Sequence, residues 1–137
     1  MTCVTASKFI CLIARKYYMN YVPAVVLTVG IAILSLTEST NMPSVSLNDK
    51  AIHGLFYTLL AVLWTLPLIK SSIINHQSSI YIVVLLGTTA YGALLEVLQH
   101  YCTLTRSGEW LDVLADFIGA LIGVGIVALL RIVNCKL

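Results

Sequence analysis

The chain has 137 residues, of which 59% are hydrophobic and 10% charged, with a formal net charge of +2. Soluble domains carry about 25% charged residues, so this composition excludes an ordinary soluble domain and puts the chain among integral membrane proteins. The small positive charge is scattered and forms no basic patch, which leaves nucleic acid without a case as partner.

The opening stretch, MTCVTASKFICLIARKYY, has a short apolar core followed, not preceded, by its basic pair. No small-x-small cleavage site is visible, so it does not read as a signal peptide. Residues 1–16 are expected to form a cytoplasmic segment, with an interfacial helix as one form, and residues 17–137 the membrane domain. Met19 directly precedes the first apolar run and offers an alternative start.

Four runs approach the roughly 20 apolar residues that cross a hydrocarbon core. They extend over about Tyr17–Leu36, Ala51–Ile69, Ile80–Leu98 and Leu111–Val133. The runs are too long for strands and do not alternate, and a helix satisfies its own backbone polar groups in lipid. The fold class expected is an all-α membrane protein, a four-transmembrane-helix bundle. Lys8, Arg15, Lys16, Lys70, Arg131 and Lys136 share one side of such a bundle, against Lys50 and Arg106 on the other. The positive-inside rule then puts both termini in the cytoplasm, with Tyr17, Tyr18 and Tyr21 as an inner aromatic belt. Cys3, Cys11, Cys102 and Cys135 form no Cys-x-x-Cys pair and read as isolated thiols.

With this direction the acids, Glu38, Asp49, Glu96, Glu109, Asp112 and Asp116, all fall in outer loops or outer helix ends. Acids contribute little to topology, so their segregation points to a polar site at the outer face. Asp49, Lys50 and His53 open the second span at spacings of four and three, with Gly54 and Tyr57 following. Gly92, Glu96 and Gln99 share a face of the third. Asp112, Asp116, Gly119 and Gly123 step by four, three and four along the fourth, and the glycines form a Gly-x-x-x-Gly contact face. Asp116 lies about 8 Å along its helix from Leu111, and Glu96 about 6 Å before His100, so antiparallel third and fourth helices bring both acids to one level. Two close carboxylates resist joint ionisation. A proton or cation between them is expected, with Arg106 and then Lys50 as the nearest candidates.

The combination DKAIHGLFY, YGALLEVLQ and TRSGEWLDVLADFIGALIG resembles the VanZ-like family of small membrane proteins. The likeness covers roughly Leu47 to Gly123 and rests on an acid-Lys-x-x-His, a Glu-x-x-Gln, an Arg, and an aromatic-Leu-Asp leading into Gly-x-x-x-Gly. Where the family pattern has an amide, this chain has Asp116, which adds a charge. The resemblance implies a role in the bacterial envelope and in resistance to glycopeptides such as teicoplanin, at the bacterial cytoplasmic membrane, with no settled reaction.

Plain structural roles compete at several positions. Asp49 fits a capping box begun by Ser46. Asp112 and Glu109 complement the positive helix start, and Trp110 suits an interfacial anchor. Glu96, Asp116 and Arg106 are harder to explain so, because intramembrane charges are costly and face a bundle interior or a wet cavity. His53, Glu96 and Asp116 are the candidate acid–base groups. Asp49, Lys50, Gln99, Arg106 and Asp112 are the candidate ligand-binding groups, with Lys50 and Arg106 suited to phosphate or carboxylate. His53, Glu96, Asp112 and Asp116 are of types that suit a divalent ion, but no tight ligand motif is present and no metal is assigned. No Gly-x-Ser-x-Gly or phosphate loop calls for a cofactor. The partners expected are membrane lipids and an amphipathic ligand, either a lipid-linked cell-wall precursor or a lipophilic glycopeptide. A membrane enzyme acting on a lipid-linked substrate is an alternative. A proton-linked transporter is a third, which the one-sided cluster and the absence of a repeat disfavour. The pattern sets no oligomeric state.

Overall fold

A computed structural model of the chain describes residues 21–37, 48–71, 77–102 and 109–134. The described residues form four helices: α1 (Tyr21–Leu36), α2 (Asn48–Ser71), α3 (Gln77–Cys102) and α4 (Trp110–Asn134). The expected segment 1–16, Tyr17, Tyr18, Ser46, Arg106, Cys3, Cys11 and Cys135 lie outside the described residues. Cys102, at the end of α3, is a free and exposed thiol.

The last three helices have 24, 26 and 25 residues, or about 36–39 Å at 1.5 Å per residue. Each exceeds a hydrocarbon core of about 30 Å. All three meet the length and hydropathy of a membrane span. They overrun the apolar runs of the sequence at both ends, taking in polar residues such as Lys50 and His100. The described part of α1 is shorter, about 24 Å.

The surface supports the same reading. Leu55, Leu86, Leu94, Ile122, Leu129 and Leu130 are each more than half exposed. Large contiguous apolar faces are rare on soluble monomers, and here they sit on every long helix, where they suit acyl chains.

Between lipid-facing stripes the helices pack on small residues. The most extensive pairing is α2 with α4. A Cβ at Gly119 would overlap the Gly54 carbonyl oxygen, and one at Gly123 would overlap the Thr58 carbonyl oxygen and meet the Ala61 methyl. The Gly-x-x-x-Gly face of α4 therefore lies directly on the backbone of α2, as such motifs do in lipid. Thr58 Oγ1 reinforces this seam, donating to its own-helix Gly54 carbonyl at 2.7 Å and to the Gly119 carbonyl at 2.9 Å. Below the seam Ala61, Ile80, Val84, Ala120 and Val124 form one core cluster.

The first helix docks by polar contacts as well as apolar ones. Ile31 packs with Tyr57, Leu60 and Leu95. Tyr91 of α3 donates to the Thr28 carbonyl at 2.6 Å, and Trp64 Nε1 of α2 donates to Thr28 Oγ1 at 3.1 Å. Gln99 Nε2 donates to the Ser35 carbonyl at 2.8 Å. Hydrogen bonds between helices are retained in lipid because the alternative is an unmet polar group.

Candidate functional site

The first turns of α2 and α4 and the last turns of α3 meet at one end of the bundle, and the charged side chains collect there. Lys50 Nζ donates to Asp112 Oδ1 at 2.8 Å and to Glu109 Oε2 at 2.9 Å. Two of the three ammonium hydrogens are thereby committed to carboxylates. Glu109 immediately precedes α4. Its carbonyl accepts the Asp112 N–H at 3.0 Å, which opens the helix. Its own N–H donates to Glu96 Oε2 at 2.9 Å. One residue thus joins α2, through Lys50, to the end of α3, through Glu96.

About one turn deeper, His53 Nδ1 and Asp116 Oδ1 are 3.1 Å apart. With Asp116 ionised, Nδ1 carries the proton of this bond, and a neutral imidazole then has its lone pair on Nε2. Asp116 is 1% exposed, and the buried Tyr57 brings its hydroxyl to the same place beside Gly92. Gly92 of α3 makes room for it: a Cβ there would overlap Asp116 Oδ2 and stand 3.0 Å from the Tyr57 hydroxyl. Glu96 and Asp112 are each only 7% exposed. A ring nitrogen of His53 and one oxygen each of Glu96 and Asp112 lie within 4.8 Å of one another.

Of the residues singled out from the sequence, the structure gathers Lys50, His53, Glu96, Asp112 and Asp116 at this end. Gln99 is also buried, but its amide turns to the Ser35 carbonyl of α1. Asp49 belongs to the first turn of α2; its side chain, like Arg106, lies outside the described residues. The expectation of Arg106 as the cation nearest Glu96 and Asp116 falls outside the described residues; among those described, Lys50 pairs with Asp112 and His53 with Asp116.

Three participants were not among the candidates. Glu109 is one of the outer acids and a complement to the helix start by sequence; it does stand at that start, and its carboxylate also pairs with Lys50. Position alone signals the first role; the second requires knowing how α2 is rotated against α4. Tyr57 lies one turn beyond His53, and that spacing is the signal for it. Gly92 shares the face of Glu96, but a glycine carries no mark of what fills the space beside it.

This arrangement holds acid–base groups in a part-buried niche flanked by lipid-facing apolar residues. The imidazole is oriented by a buried acid, and Glu96 and Asp112 are near enough to share a proton or a cation with it. The model of the VanZ/LLP1 family matches residues 9–131. No curated protein and no solved structure matches the chain.

Proposed function

The chain belongs to the VanZ/LLP1 family, and from that premise we propose that it is a four-span protein of the bacterial cytoplasmic membrane acting in the cell envelope. Both termini lie in the cytoplasm, and the polar niche opens outward, where it takes the headgroup of an amphiphile. The ligand class is a lipid-linked cell-wall precursor or a lipophilic glycopeptide of the teicoplanin type. The bias of Lys and Arg toward one side supports the direction. In the sequence the run from Tyr17 to Leu36 approaches the length of a span.

The observation that carries the reading is the convergence of His53, Glu96, Asp112 and Asp116 from three helices at one end of an otherwise apolar bundle. Charged groups within a membrane domain mark ligand and proton sites more often than scaffolding. The test is teicoplanin susceptibility of a sensitive bacterium expressing the chain. Wild type is expected to lower susceptibility, while His53→Ala and Glu96→Gln, at equal membrane abundance, abolish the effect. An undiminished effect in both variants contradicts the reading.

The His53–Asp116 pair favours a second reading, a membrane enzyme. An imidazole whose Nδ1 proton is held by an acid has Nε2 free to take a proton from a nucleophile, and Glu96 is placed to return one. Purified protein incubated with outer-leaflet lipids would then yield a product that Glu96→Gln fails to make. Identical lipid profiles for the two proteins would retire this version.

A further inference from the structure

We propose that His53, Glu96 and Asp112 form a binding site for one divalent transition-metal ion, zinc in the first instance, with Asp116 as the positioning residue behind His53. The reading above needs no metal, and this inference goes beyond it.

The donor set is the first argument. It is mixed, one imidazole and two carboxylates, which suits zinc and its neighbours in the first transition row. Each donor comes from a different helix, so no local helix requirement brings them together. Their donor atoms lie within 4.8 Å of one another. Oxygens bound ~2.1 Å from one ion at a tetrahedral angle stand about 3.4 Å apart. Closing the set therefore takes side-chain rotations of roughly an ångström, which Glu96 and Asp112 reach without moving a helix.

The support behind the imidazole is the second. Metal-bound histidines usually donate their other ring N–H to a carboxylate, which fixes the tautomer and turns the free lone pair to the ion. His53 Nδ1 lies 3.1 Å from Asp116 Oδ1, the spacing such a bond requires. Asp116 is itself held rigidly, 1% exposed against Gly92 and Tyr57.

Charge is the third. At this end of the bundle Glu96, Glu109, Asp112 and Asp116 surround Lys50 and His53. Lys50 is shared between Glu109 and Asp112, and Glu96 receives only the Glu109 backbone N–H among these contacts. Buried carboxylates need compensation by a cation or a proton. A divalent ion between Glu96 and Asp112 supplies it and takes a ring-nitrogen lone pair of His53 in the same step. Three protein donors leave a fourth tetrahedral position for water or an oxygen of a ligand, the arrangement of open rather than structural zinc sites.

The experiment uses the full chain in detergent micelles, stripped with chelator and titrated with zinc chloride by calorimetry, with metal content read by mass spectrometry. Wild type is expected to bind one zinc per chain. His53→Ala, Glu96→Gln and Asp112→Asn are each expected to weaken binding tenfold or more, and Asp116→Asn by 10–100-fold as the imidazole loses its support. His100→Ala, on the exposed end of α3, should leave it unchanged. Cobalt(II) absorption gives a second reading: His53→Ala should shift the visible bands of the wild-type complex. Helical circular dichroism checks that each variant is folded, and the near-isosteric Glu96→Gln serves if His53→Ala is not. No stoichiometric zinc in wild type, or affinity unchanged in Glu96→Gln and Asp112→Asn, overturns the site. If wild type binds no zinc while His53→Ala still abolishes the envelope phenotype, the metal site alone is refuted.

Discussion

Replacing Gly119 by alanine tests the helix seam on which the site is built. A methyl there would overlap the Gly54 carbonyl oxygen and stand 2.9 Å from Gly54 C and Cα. These are main-chain atoms of α2 and have no rotamer to escape to, so α2 and α4 must part by roughly 1 Å. Overpacking of this kind costs about 1–3 kcal/mol, and the upper end applies where backbone must move. Parting the helices also weakens the Thr58 Oγ1 bond to the Gly119 carbonyl, about 1 kcal/mol more. Alanine's better helix propensity returns about 1 kcal/mol. The expected net loss is about 2–3 kcal/mol, a 30-fold or larger fall in the folded ratio by rough conversion. Gly87→Ala is the control, because its methyl would meet nothing within 4 Å; it should gain up to about 1 kcal/mol. Unfolding by sodium dodecyl sulfate in mixed micelles, followed by circular dichroism, gives both values. A Gly119→Ala protein as stable as Gly87→Ala would refute the close approach of α2 to α4.

Other substitutions probe the polar contacts. Gly92→Ala drives a methyl into Asp116 Oδ2; it should disturb the His53–Asp116 bond and reduce the envelope phenotype while the helices remain formed, as read by susceptibility beside circular dichroism. Lys50→Met leaves Glu109 and Asp112 without their shared cation and should lower stability. Adding Asp112→Asn should restore part of it, and strict additivity in that double-mutant cycle would show the pair to be uncoupled. Gln99→Leu removes the bond to the Ser35 carbonyl and should cost about 1 kcal/mol. The loss should show as faster proteolysis or hydrogen exchange in α1, and equal protection in the two proteins would count against that contact.

The three long helices were legible because apolar runs of span length admit few alternatives in lipid, and Lys50 to Tyr57, Gly92 to Gln99 and Asp112 to Gly123 each marked a face by spacing. Spacing within one helix fixes neither its rotation nor which neighbour its polar face meets. For that reason the face shared by Glu96 and Gln99 does not reveal that the Gln99 amide nitrogen donates to the Ser35 carbonyl of α1. The sequence marks Glu109 as an outer acid at a helix start, and its bridging of α2 and α3 depends on how those helices are rotated. The docking of α1 through Thr28 and Ser35 was not legible at all. It uses backbone carbonyls as acceptors, and every residue has one.

The interhelical contact on which the site turns is the one between His53 and Asp116. Dipolar recoupling by solid-state nuclear magnetic resonance in bilayers, with labelled histidine nitrogen and aspartate carboxyl carbon, reads it without perturbing the protein. The structure predicts a His53 Nδ1 to Asp116 carboxyl-carbon distance of about 4 Å, lost in Asp116→Asn prepared with the same labels. A His53 ring with no aspartate carboxyl carbon within about twice that distance would mean that α2 and α4 do not present these groups to each other, and the shared site would not exist.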